Sequence, residues 1–137
     1  MKEWGVGAFG QTDLMNMFGS VRFYESCHKE GIKPILGCDL WITNEEDPAH
    51  PFRLTVYCMD HDGYHSLCVL LTRAWLENQC HVKGRGEVKE SWLAGEGTKG
   101  LIGISGGPEG EIQTRFPTGE NCRRREAAAE SLSFISS

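Results

Sequence analysis

Hydrophobic and polar positions change period several times along the chain, and each change marks an element. Phe52, Leu54, Val56 and Cys58 alternate with Arg53, Thr55 and Tyr57, which predicts a strand with one buried face. Ile35 to Ile42 is an almost unbroken apolar run, the pattern of a strand covered on both faces, interrupted by one acid, Asp39. Period two places Asp39 on the face of Ile35, Gly37 and Trp41. Upstream, Ala8 to Thr12 reads as a short strand. Asn16 then caps a helix whose face runs Val21, Tyr24, Cys27 and His28, closed by Gly31 and Pro34. Asp60 caps the longest helix, Asp62 to about Asn78, with Tyr64, Leu67, Cys68, Leu71 and Trp75 as its buried stripe.

The connecting segments are more polar. Asn44 to Pro51 reads as a solvated acidic loop and Cys80 to Gly86 as a Gly-rich one. Glu87 to Leu93 is expected to be a short helix, and Leu101 to Ser105 a short buried strand ending in the turn Gly106, Gly107, Pro108. Asn121 to Ile135 has the composition of a surface helix rich in Ala and Arg. Short strands alternating with amphipathic helices, without internal repeats, give an α/β class.

Composition narrows the function. A chain of 137 residues suits one domain of modest core, and no run of about 18 apolar residues predicts a membrane span. Fourteen Lys and Arg against nineteen Asp and Glu give a net charge of -5, the wrong sign for a domain that grips a phosphate backbone. Met1 to Gly10 carries no apolar signal region, so a cytoplasmic location with six reduced cysteines is expected.

Three motifs invite chemistry. Cys58, His61, His65 and Cys68 have a spacing that could present N and S ligands to zinc, although Cys68 also belongs to the apolar stripe. The loop Ser105-Gly-Gly-Pro-Glu-Gly110 follows a strand, yet it lacks the Gly-Lys-Ser/Thr ending of a phosphate loop and reads better as a tight turn. Arg123-Arg-Arg125 is interleaved with Glu120, Glu126 and Glu130, the pattern of a solvated helix face.

Longer stretches carry a resemblance. Gln11-Thr-Asp-Leu-Met-Asn-Met-Phe-Gly19, Val21-Arg-Phe-Tyr24 and Gly31-Ile-Lys-Pro-Ile-Leu-Gly-Cys-Asp39 closely resemble the polymerase-and-histidinol-phosphatase (PHP) domain of bacterial DNA polymerase III alpha subunits, in proteobacterial wording. Gly63-Tyr64, Leu67-Cys68, Arg73-Ala74 and Gly100-Leu-Ile-Gly-Ile-Ser-Gly-Gly107 continue the pattern in order. The likeness spans roughly residues 5 to 112, so a partial PHP domain is expected over 1–116, with residues 117–137 a helix that matches the family only loosely. The resemblance implies an incomplete distorted β/α barrel lacking its first strand and its later strands. Such a barrel has an open seam, and the isolated chain is expected to be marginally stable.

What the resemblance implies for the site depends on each position. A metal-dependent phosphoesterase of this family holds divalent ions with many His and carboxylate ligands. Here the His-x-His pair falls before the chain begins, Asp13 survives from Thr-Asp-His while Leu14 replaces the His, and Asp39 replaces a Glu. Arg53 and Gly107 stand at two further ligand positions. The expectation is therefore a vestigial site without metal, in which the Arg53 guanidinium substitutes for the cation and pairs with Asp39 and with Asp13. The bland alternative is an Arg53 that reaches solvent from a strand start.

By the same resemblance the parent protein is a DNA-directed DNA polymerase, a nucleotidyltransferase of DNA replication whose magnesium-binding carboxylates lie far downstream. This region is then a non-catalytic module that scaffolds the polymerase and docks the proofreading exonuclease subunit of the holoenzyme. It meets DNA only through the parent, needs no cofactor of its own, and touches no membrane. Two other readings stay open: a stand-alone PHP phosphoesterase, and the error-prone homologue of the same polymerase.

Overall fold

The computed structural model describes residues 5–80 and 83–111. Its main sheet runs in the order β1-β2-β3-β6, built from β1 (Ala8–Leu14), β2 (Lys33–Ile42), β3 (Phe52–Cys58) and β6 (Leu101–Ser105). β1 and β2 are parallel, and the crossover between them is α1 (Ser20–Lys29). β2 with β3 and β3 with β6 are antiparallel, and α2 (His61–Glu77) lies between β3 and a small hairpin of β4 (Gln79–Cys80) and β5 (Arg85–Gly86). The mixed α/β architecture agrees with the sequence expectation.

The register divides the sheet into two unlike faces. Cys38, Leu40 and Ile42 of β2 lie opposite Val56, Leu54 and Phe52 of β3, and all six are buried in one core with Leu67, Leu70, Leu71 and Ala74 of α2. The other face carries Asp39 opposite Thr55 and Trp41 opposite Arg53. Tyr57 belongs to that second face, and its ring lies over Gly37 and Gly10, where a Cβ would press against it. Those two glycines make room for the ring across three strands.

Met15, at the end of β1, takes φ 55°, a left-handed conformation that costs a non-glycine residue free energy. Three contacts hold it there. Its N–H donates to Asp39 O at 2.8 Å, its sulfur accepts from the Trp41 N–H at 3.1 Å, and its carbonyl accepts from the Trp75 indole at 3.0 Å.

Several expectations shift by a residue or a face. β1 runs to Leu14, past Thr12, because its parallel pairing continues to Asp39. Gly19, not Asn16, is the N-cap of α1; Asn16 accepts from the Phe18 N–H in the preceding turn. The buried residues of α1 are Ser20 and Cys27, while Val21, Tyr24 and His28 are exposed. In α2, Leu70 and Ala74 take the core places expected of Tyr64 and Trp75, which are over a third exposed. In α1 the larger Val21 and Tyr24 stay exposed and the small Ser20 and Cys27 are buried instead.

The loop expected over 80–86 contains the β4–β5 hairpin. Of the helix expected at 87–93 only Glu90–Leu93 forms, as one 3-10 turn, since Val88 bridges to Ile42 instead. β6 is an edge strand of the described sheet, with Ile102 and Ile104 exposed. The helix expected over 121–135 lies outside the described residues.

Asp60 caps α2 as expected, accepting from the Gly63 N–H at 2.8 Å. Asp60→Ala removes that acceptor, and a loss of about 1 kcal/mol in urea unfolding is expected. An unchanged midpoint would show that the close approach of Gly100 to Gly63, and not the cap, fixes this end of the helix.

Candidate functional site

The second face of the sheet gathers the residues singled out from the sequence. Asp39 sits mid-strand in β2, largely buried, with 12% of its side chain exposed. Its Oδ2 accepts from Arg53 Nη2 and its Oδ1 from Thr55 Oγ1, each at 2.5 Å. Thr55 is directly opposite Asp39 in register and Arg53 is two residues along the same face, so strand alternation alone aims both donors at one carboxylate.

Arg53 is the centre of the cluster. Its second nitrogen, Nη1, donates to Glu109 Oε2 at 3.0 Å. Its guanidinium carbon lies 6.0 Å from the Trp41 ring centroid. The hydrogen bond with Asp39 first, and that with Glu109 second, push the Arg53 pKa above its ordinary value. The guanidinium thus carries a fixed positive charge between two carboxylates.

Asp13 stands elsewhere. In the β1–β2 register Asp13 is opposite Cys38, whereas Leu14 is opposite Asp39, so the two carboxylates leave the sheet on opposite faces. Asp13 accepts from the Gly19 N–H at 3.1 Å and from Gln11 Nε2 at 3.2 Å, anchoring the start of α1. The expected pairing of Arg53 with Asp39 is present; Asp13 holds a helix start instead.

A divalent cluster does not fit these residues. Both oxygens of Asp39 already accept strong bonds, Leu14 offers no donor atom, and Gly107 lies in a turn at φ 64°. No group of three His, Cys, Asp or Glu side chains is placed to hold a metal ion among the described residues. The zinc candidate forms no such group either: His61 and His65 are exposed on α2, while Cys58 and Cys68 are half-buried neighbours. Burial, aided by the nearby Cys68, pushes the Cys58 thiol up to about 11. Burial likewise pushes Cys38 up to about 12, with its thiol donating to Asp13 O at 3.1 Å.

These two thiols carry a pH prediction. From an ordinary value of 9.0, the unfolded chain releases their protons first as pH rises, while the folded chain keeps them. The folded state then binds more protons, so stability falls as pH rises from about 9 toward 12. Urea midpoints measured at pH 8 and pH 10 should drop between the two, and less so in Cys38→Ser. A flat profile would contradict the burial of Cys38.

Glu109, the second acceptor for Arg53, is not singled out by sequence reasoning. The only trace is its position one residue after Pro108, in a 3-10 turn, Gly107–Glu109, that follows β6 directly. Since β6 pairs with β3, that turn returns to the end of β3 where Arg53 sits.

Comparison with known proteins agrees with the geometry. The family model described as "PHP domain" matches residues 1–137. DNA polymerase III subunit alpha of Neisseria meningitidis serogroup A is 38% identical over 127 residues, covering 93% of this chain and 11% of that protein. The protein of the same name from Pseudomonas aeruginosa is 37% identical over 128 residues, covering 93% and 10%, and that of Vibrio cholerae 36% over 108 residues, covering 79% and 9%. The chain spans about a tenth of the length of these relatives. The match covers every residue of the sequence, and the chain belongs to the PHP domain family.

Proposed function

We propose that this chain is the PHP region of a DNA polymerase III alpha subunit, serving as a metal-free, non-catalytic scaffold in which Arg53 replaces the cation of the family's phosphoesterases. One observation carries the reading: both carboxylate oxygens of Asp39 are taken, one by Arg53 and one by Thr55. A guanidinium supplies the charge that holds such carboxylates together but cannot bind and ionise a water as a metal does. Asp13 then keeps a purely architectural role at α1.

In this reading the polymerase activity, with its magnesium, belongs to other parts of the parent chain. The region packs against that chain and docks the proofreading exonuclease subunit, and its acidic balance suits a protein partner. The relatives' names support the polymerase context. Among the described residues no helix is long and apolar enough to cross a membrane.

The test uses the polymerase-length chain that carries this region. Co-purification with its cognate exonuclease subunit is expected, together with less than one bound divalent ion per PHP region and no phosphoesterase activity from it. Failure to co-purify would overturn the docking role. Stoichiometric metal at this site, lost on Asp39→Asn, would overturn the replacement of the cation.

A further inference from the structure

We propose that the groove between the turn after β1 and the second half of α2 is permanently covered by an apolar segment of the same polypeptide lying outside residues 1–137. The inference rests on the reading of this chain as one region of a polymerase alpha subunit, and it names the surface by which the region packs against its parent. Met15, Met17 and Phe18 form one wall of the groove and Leu71, Trp75 and Leu76 the other, around a volume of about 550 Å³.

The walls fix what kind of group can enter. The Trp75 indole bond to Met15 O, at 3.0 Å, ties the two walls together, so the groove exists before anything fills it. Asn16 and Thr72, its polar lining, are spent on nearby backbone. Asn16 donates to Leu14 O at 2.9 Å and accepts from the Phe18 N–H at 3.0 Å, and Thr72 donates to Cys68 O at 2.8 Å. No charged residue lines the groove among the described ones. Apolar surface fits such a lining, whereas a polar ligand would be stripped of water without gaining a partner.

The groove is one part of a wider uncovered surface. Phe18 is 92% exposed and Leu76 80%, and Val21, in the first turn of α1 just beyond Phe18, is 68% exposed. Val21 and Tyr24 have the spacing of a helix face meant for burial, yet the described residues leave both in water. Apolar surface gathered in this way marks a contact. The occupant follows from chain length and from chemistry. This chain covers 11% and 10% of two relatives, so about nine-tenths of such a polypeptide lies outside it, held close by covalent continuity. Contacts that never open are the most apolar, whereas a subunit that comes and goes leaves behind a surface that must stay soluble. A groove without charge, rimmed by an almost fully exposed phenylalanine, is of the first kind. A second copy would bring a further net charge of -5 against the first.

The experiment uses the polymerase-length chain purified with its exonuclease subunit. The photo-reactive amino acid p-benzoylphenylalanine takes the place of Phe18 in one preparation and of Leu76 in another. Cross-links are mapped by mass spectrometry in a mixture of nitrogen-15 and unlabelled copies, which separates links within one polypeptide from links between two. Both positions should link to the same polypeptide outside residues 1–137. Leu76→Gln should speed the proteolytic release of this region from the remainder by about fivefold or more, since one buried anchor is lost, while the exonuclease subunit still co-purifies. Links to residues 112–137, to a second copy or to the exonuclease subunit would overturn the proposal. So would the absence of links from both positions, or an unchanged rate of release. Failure of the unsubstituted chain to hold the exonuclease subunit strikes the docking role alone, because the links are read within one polypeptide.

Discussion

Gly63→Ala should be the most damaging single-methyl change in the protein, costing about 3 kcal/mol or preventing folding altogether. A Cβ at Gly63 would run into the Gly100 backbone, and the obstacle is a carbonyl that cannot swing aside as a side chain could. Gly100 is equally confined: it holds φ 74°, and a Cβ there would strike Asp60 Oδ1 and the Gly63 nitrogen. Separating the two segments would break the Met59 N–H bond to Gly100 O, at 2.9 Å, and disturb the Asp60 cap. It would also pull β6 from α2. Urea unfolding of Gly63→Ala against Ala74→Ser, a buried α2 position whose backbone lies against Gly86 and not Gly100, checks the claim. Equal, small losses would show that the α2 to Gly100 approach relaxes easily.

Arg53→Ala should cost about 2 to 3 kcal/mol, more than a surface ion pair is worth. The reason lies with the partner. Arg53 has a third of its side chain exposed and would give up solvent-screened contacts, whereas Asp39 would be left with only Thr55 in a largely enclosed place. Asp39→Asn in the Arg53→Ala background should recover part of the loss, because an amide needs no counter-charge. A loss under about 0.5 kcal/mol, or no recovery in the double variant, would show that Asp39 is hydrated and that the guanidinium is decoration.

Much of this site was legible from alternation. Period two in Phe52–Cys58 put Arg53 and Thr55 on one face, and Asp39 on the face of Trp41, before any pairing was known. The run around Asp39 marked a strand covered on both faces, and β2 lies between β1 and β3 in the four-stranded sheet with Gly37 to Leu40 buried. What alternation cannot convey is relative register between strands. Asp13 and Asp39 were expected together because each looked like a remnant of one ligand set, yet a parallel register of Asp13 with Cys38 turns them apart. Glu109 was missed for a related reason: the turn beyond β6 meets Arg53 only through long-range pairing.

Helix faces were the least legible part. In α1 the buried positions are Ser20 and Cys27, and in α2 the small Gly63 and Ala74 are buried beside Leu67, Leu70 and Leu71, so part of each contact face falls on small residues that apolarity alone does not mark. Trp75 is the converse case, since its indole is tethered to Met15 O while much of its ring faces out. The same bias made Ile102 and Ile104 look like core, although they stand on the face of the sheet away from α2.

The bond from Arg53 to Glu109 spans 56 residues of chain. Its two ends emerge from the ribosome well apart in time: β1, β2 and β3 can pair, and Arg53 can find Asp39, while β6 and its turn are still unmade. Arg53 therefore begins life with one carboxylate and receives the second only when β6 zips onto β3. Closing so long a loop adds little entropy beyond a shorter one but delays the event, making this contact one of the last to form. A nascent chain halted near residue 95 should accordingly hold Asp39 and Thr55 in place while the rim of the 44–51 loop stays open.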